Sequence, residues 1–128
     1  MKLIMAESAG FCYGVRRAIE ISERQAQQGE CFTLGALIHN KNEISRLEKL
    51  GVKTALSMAD IPNGSTVIMR SHGSQQSDYT ALAAKGCEIV DATCPNVAHI
   101  HRIVRAAEAE GRFPVIIGDA SHQEVQAI

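Results

Sequence analysis

At 128 residues, with 45% hydrophobic and 4% aromatic residues and no tryptophan, the chain is long enough for one α/β core of aliphatic strands and helices and ill suited to an aromatic stacking surface. A formal net charge of −1, with lysines and arginines scattered, argues against nucleic acid or an anionic membrane as a bulk electrostatic partner. The apolar opening Met1–Ala6 is too short for a secretory or membrane-spanning segment, so a cytoplasmic setting is expected, with the four cysteines reduced and none in a Cys-x-x-Cys pair.

In chain order, Lys2 to Ala6 reads as a first strand, and Ser8 to Gly14 as a small-residue turn that carries Cys12. Val15, Ala18, Ile19 and Ile21 recur near helical spacing against a charged face, which predicts a helix from about Tyr13 to Gln28 with Gly29 as its stop. Cys31 to Gly35 reads as the second strand. His39-Asn40 precedes a helical run marked by Ile44, Leu47 and Leu50 and ended by Gly51. Val52 to Leu56 is a further short strand, followed by a surface link through Asp60, Pro62, Asn63 and Gly64.

Thr66 to Met69 is a β-branched apolar run, with Arg70-Ser71-His72-Gly73-Ser74 directly behind it. A helix from Gln75 to Lys85, a strand from Cys87 to Val90 and a helix from Pro95 to Glu110 follow. Phe113 to Gly118 reads as the last strand, trailed by the loop Asp119 to Glu124. No returning helix is expected after it, which reads as an unfinished βα unit and so as part of a longer protein. The alternation argues for repeated βα units and a parallel sheet.

The stretch Val90 to Val97 joins a strand end, a cysteine and a helix start. Asp91 or Thr93 can cap the helix, and Pro95 suits its first position. Cys94 then lies where a helix dipole and free amides favour the thiolate that ligates metals; the other reading is a small buried residue at a tight turn.

Ligands of an open parallel sheet bind outside the carboxyl ends of its strands, where loops and helix N-termini point. Cys12, His39, His72, Cys94 and His122 each fall one to five residues after a predicted strand and so share one edge. Cys31 and Cys87 fall at strand beginnings, at the opposite edge, where they serve packing. A lone loop histidine has an ordinary explanation as a solvated or hydrogen-bonded side chain, and His99 and His101 inside a helix are left with it. Three loop histidines in the same topological position, beside helix N-termini, suit a phosphate or diphosphate. Glu124 is a candidate proton donor or else a surface carboxylate.

Five ordered motifs, Gly10-Phe11-Cys12-Tyr13-Gly14-Val15-Arg16-Arg17-Ala18, His39-Asn40, Ser71-His72-Gly73, Asp91-Ala92-Thr93-Cys94-Pro95 and Gly118-x-x-x-His122-x-Glu124-Val125, span the chain. Together they closely resemble the N-terminal part of the LytB-type family, 4-hydroxy-3-methylbut-2-enyl diphosphate reductase. The resemblance implies the last step of the methylerythritol phosphate route to isoprenoid precursors. There the hydroxyl of an allylic diphosphate is removed with two electrons and two protons to give isopentenyl and dimethylallyl diphosphate.

It also implies a 4Fe-4S cluster held by three cysteines, with Cys12 and Cys94 as two of them. His39, His72 and His122 would contact the diphosphate, and Glu124, with His122, would handle protons. The implied electron donor is ferredoxin or flavodoxin. The implied fold has three similar α/β lobes: residues 1–94 would form the first, and 95–128 the truncated start of the second. Gln123 stands where the family motif has proline, and Ala127 where it has glycine. The third cysteine and the family's downstream serine, threonine and asparagine contacts would lie beyond Ile128, so residues 1–128 alone are expected to be inactive. A rival reading from another class is a phosphate- or nucleotide-binding regulatory module. It lacks support from any Gly-x-Gly-x-x-Gly turn or Walker-type lysine loop. A third is a folding or assembly unit without a ligand.

Overall fold

The computed structural model describes residues 1–128. Its elements are α1 (Tyr13–Ala26), β1 (Cys31–Leu34), α2 (Lys41–Leu50), β2 (Val52–Ala55), a 3-10 turn (Met58–Asp60), β3 (Thr66–Met69), α3 (Gln76–Ala84), β4 (Glu88–Asp91), α4 (Pro95–Ala109) and α5 (Gln123–Ala127). The four strands form one sheet in the order β2-β1-β3-β4, and every pair is parallel. An α/β architecture with a parallel sheet is therefore what the alternating pattern anticipates.

Successive strand residues point to opposite faces, and each face has its own core. On one side Cys31, Val52, Ile68 and Ala92 meet Ala18, Ile19 and Ile21 of α1 and Leu47 of α2. On the other, Phe32, Ala55, Val67 and Met69 meet Leu82 of α3, with Ile61 beneath. Both faces are covered, as parallel sheets require, which is why the central strands β1 and β3 read as near-continuous apolar runs rather than alternating ones.

The strand order carries the functional consequence. From β1 the chain moves through α2 to β2 on one side. It then crosses back to β3 on the other side of β1 and moves outward through α3 to β4. Since α2 and α3 lie on opposite faces, the loops after β1 and β3 diverge and leave a crevice at this switch point. His39 lies in the first loop and His72 in the second.

Two expected strands do not form. Residues 2–6 and 113–118 make no sheet ladder, and Leu3, Ile4, Phe113 and Ile117 are 80%, 80%, 91% and 97% exposed. Their composition suits a strand, but a strand needs a neighbour, and neither segment has one. The chain also closes with a short helix, α5, where none was expected. Neither Asp91 nor Thr93 caps α4. Cys94 is the N-cap residue, without a side-chain hydrogen bond, and the Asp91 carboxylate accepts from the Thr93 amide at 2.8 Å instead.

Candidate active site at the strand switch point

A cavity of about 410 Å³ opens at the carboxyl edge of the sheet, lined in part by Cys12, His39, His72, Cys94 and Glu124. The loops that frame it are tied in sequence. The Ser71 amide and hydroxyl both donate to the Leu37 carbonyl, at 3.3 and 3.2 Å. The Ser71 carbonyl in turn accepts from the Cys94 amide at 2.8 Å. The turns bearing His39, His72 and Cys94 are thereby joined into one rim by backbone groups, with Ser71 at the centre.

The three loop histidines come together. The His39 and His72 rings lie 4.7 Å apart between centroids, tilted by 51°, and His39 and His122 lie 6.3 Å apart, tilted by 48°. His39 and His122 are exposed, while His72 is 8% exposed, and both its ring nitrogens are buried without a hydrogen-bond partner. Burial, reinforced by the nearby His39, Arg70 and His122, pushes the His72 imidazole down to about 4. A neutral ring with idle nitrogens is well placed to donate to an anion, whose arrival would also favour its protonation.

His72 is held from beneath. Gly73 adopts a left-handed φ of +85°, and a Cβ there would stand 2.9 Å from Cε1 of the buried His101. His101, which the sequence leaves as an ordinary helical histidine, thus packs against the turn that presents His72. Its placement is invisible locally, because it depends on how α4 crosses residues 71–74.

The two cysteines arrive by different routes. Cys12 does not follow a strand. It is the N-cap residue of α1, as Cys94 is of α4, and neither side chain is spent on a capping bond. Both thiols are free of disulfides. Gly14 brings them to the same place: a Cβ on it would lie 2.6 Å from Cys94 Sγ, so only glycine lets α1 approach the Cys94 turn this closely. Cys31 is buried at the start of β1 and Cys87 precedes β4, with neither among the cavity-lining residues.

Two unspent thiols on one cavity are a donor pair suited to a soft, sulfur-bound metal centre. No three Cys, His, Asp or Glu side chains of the chain are grouped to hold a metal ion by themselves. The residues present therefore fit two ligand positions of such a centre and not a complete set.

His122 also lacks the preceding strand that the sequence suggests. It is the N-cap residue of α5, its Nδ1 accepting from the Glu124 amide at 3.3 Å, and this turn directs Glu124 to the cavity lining. The helix is docked by Gln75, whose side-chain amide donates to the Gln126 carbonyl at 3.2 Å. Gln75 and the cavity-lining Asn96 belong to none of the five motifs, and Ser71, though it opens the Ser71-His72-Gly73 motif, has no role assigned to it by the sequence.

Residues 3–128 match the family model described as LytB protein. The chain is 43% identical over 125 residues to the 4-hydroxy-3-methylbut-2-enyl diphosphate reductase of Aquifex aeolicus (strain VF5), covering 96% of this chain and 43% of that protein. It is 42% identical over 129 residues to the reductase of the same name from Geobacter sulfurreducens, covering 100% of this chain and 45% of that protein. A solved (E)-4-hydroxy-3-methyl-but-2-enyl diphosphate reductase, described as the terminal enzyme of the non-mevalonate pathway, superposes with a TM-score of 0.86 at 42% identity. That likeness covers 98% of this chain and 45% of the other. The Plasmodium falciparum E-1-hydroxy-2-methyl-but-2-enyl-4-diphosphate reductase gives a TM-score of 0.90 at 30% identity, covering 94% and 39%. The chain thus spans less than half the length of these relatives.

Proposed function

The chain belongs to the LytB protein family, and from that membership we propose that it carries the diphosphate-binding and two-cysteine part of a 4-hydroxy-3-methylbut-2-enyl diphosphate reductase. The observation that carries the reading is the grouping of three imidazoles, 4.7 and 6.3 Å apart in succession, beside a cavity lined by both Cys12 and Cys94. A phosphate-binding regulatory module would use the histidines and leave the two free thiols without a task.

In this reading His39, His72 and His122 bind the diphosphate by charge-assisted hydrogen bonds, and His72 takes up a proton as the anion arrives. The Cys12 and Cys94 thiolates hold two positions of an iron–sulfur cluster, whose remaining protein ligand comes from outside residues 1–128. When bound, that cluster would relay two electrons, one at a time, from the electron donor and would polarise the substrate oxygen as a Lewis acid. Glu124 gives a proton to the departing hydroxyl, which leaves as water, with His122 orienting the same turn. Two electrons and two protons then convert the allylic alcohol to isopentenyl or dimethylallyl diphosphate plus water. The division into a lobe of residues 1–94 and the start of a second at 95–128 belongs to the same proposal. So do ferredoxin or flavodoxin as the electron donor and a cytoplasmic location; no helix is long and apolar enough to cross a membrane.

The test is anaerobic purification of the protein as translated in its own cell. Brown protein containing iron and acid-labile sulfide is expected. Cys12→Ser and Cys94→Ser should each lose most of that iron, whereas Cys87→Ala should keep it. A colourless, iron-free protein that still reduces the substrate would overturn the reading.

A further inference from the structure

The two thiols sit at the starts of two different helices, and something must set the distance between those helix ends. The Gly14 contact allows close approach but does not enforce it, because the absence of a side chain attracts nothing. Backbone hydrogen bonds join the Cys94 turn to the Ser71 turn and the Ser71 turn to Leu37, and none of these bonds reaches α1. Beyond the apolar packing of α1 on the sheet, the polar connection between α1 and the Cys94 turn is Arg17. From the second turn of α1 its guanidinium reaches the end of β4, where Nη1 donates to the Thr93 carbonyl at 3.2 Å and Nη2 to the Asp91 carbonyl at 3.5 Å.

We propose that Arg17 is a positioning residue: its fork, spanning the two carbonyls that precede Cys94, fixes the Cys94 turn to the helix that begins at Cys12 and so sets the separation of the two thiols. The geometry suits the task. Asp91 and Thr93 straddle Ala92, a core residue that packs with Ala18 on the α1 face of the sheet. The fork therefore grips the chain on both sides of an apolar anchor. One planar group with two donors fixes orientation as well as distance, whereas a lysine ammonium would behave as a single point. Arg17 is half-buried, so its bonds are partly shielded from competing water. The carbonyls it satisfies lie at the end of an edge strand, with no further strand beyond β4 to pair them.

The inference rests on the reading of Cys12 and Cys94 as ligands of one centre, but its test does not need the centre. Dibromobimane becomes strongly fluorescent only after both its arms have alkylated thiols, and peptide mapping identifies the bridged pair. In the iron-free, reduced protein, a Cys12–Cys94 bridge is expected. Arg17→Met should slow bridging by about fivefold or more, with single-site alkylation of each thiol by iodoacetamide unchanged, because charged hydrogen bonds that hold the two turns are lost. Arg17→Lys, which keeps the charge and the stem, should fall between the two. Should Arg17→Met fail to fold by circular dichroism, the Arg17→Lys rate decides alone. Bridging that stays within twofold of the parent in the folded variants, or a parent that forms no Cys12–Cys94 bridge, would overturn the proposal. A parent that bridges but never binds iron would instead count against the cluster and leave the role of Arg17 standing.

Discussion

His72 keeps both ring nitrogens away from water without a partner, and this makes the site a cost to the fold as acidity rises. Its folded value is pushed down to about 4 from an ordinary 6.5, by burial first and then by His39, Arg70 and His122. Between these values the unfolded chain binds the proton that the folded chain refuses. Stability from this group is therefore intact above about pH 6.5 and is lost as the pH falls toward 4. His101, also pushed down chiefly by burial, acts in the same direction. Urea unfolding at about pH 7.5 and about pH 5 should show a loss on the order of 1–2 kcal/mol, below the full linkage value because pH 5 still lies above the folded value. In His72→Gln the loss should be smaller, with the part due to His101 remaining. A His72→Gln protein with the same pH dependence as the parent would show that this imidazole is solvated and charged in the folded chain.

The element that carries His39 into place is α2. Asn40 is its N-cap, with Oδ1 accepting from the Glu43 amide at 3.0 Å, so the residue next to the imidazole is fixed by the helix start. Asn40→Ala should lower stability by about 1 kcal/mol, while Asn40→Asp should stay within a few tenths; thermal unfolding of the three proteins checks this. Equal melting temperatures for parent and Asn40→Ala would mean that the helix end is held by packing alone.

The same element shows what a sequence reading can reach. The recurrence of Ile44, Leu47 and Leu50 and the stop at Gly51 are local signals, and the helix forms where they indicate. Residues 2–6 and 113–118 carry strand signals as good as those of Thr66–Met69, yet only the last has neighbours on both sides. Local composition reports fitness for a sheet and not the presence of a partner. The site is legible to the same degree. That His39 and His72 follow strands can be read along the chain, but their 4.7 Å approach depends on β1 and β3 being adjacent. Arg17 stands in the first motif, but its partners escape the sequence, since its acceptors lie 76 and 74 residues away.

Across the molecule, the open edges of the sheet are guarded and the unpaired segments are not. Edge strand β4 exposes Glu88 and Asp91, and edge strand β2 exposes Lys53, which pairs with Glu30. Such charges discourage strand addition from another chain. Phe113, Val115 and Ile117, at 91%, 77% and 97% exposure, form an apolar, β-prone run with no charge between Arg112 and Asp119. Leu3 and Ile4 add a second apolar patch. A run of this kind is the usual template for chain-to-chain association. Residues 1–128 in isolation should therefore bind the dye ANS and associate at micromolar concentration, as seen by sedimentation velocity. The double variant Val115→Lys/Ile117→Lys should reduce both signals. Its melting temperature should remain near that of the parent, because each substitution falls at an exposed position worth about ±0.5 kcal/mol or less. A parent chain that sediments as a monomer and ignores the dye would mean that these side chains are covered in solution. A double variant that loses the folded state would mean that residues 113–117 already support the core.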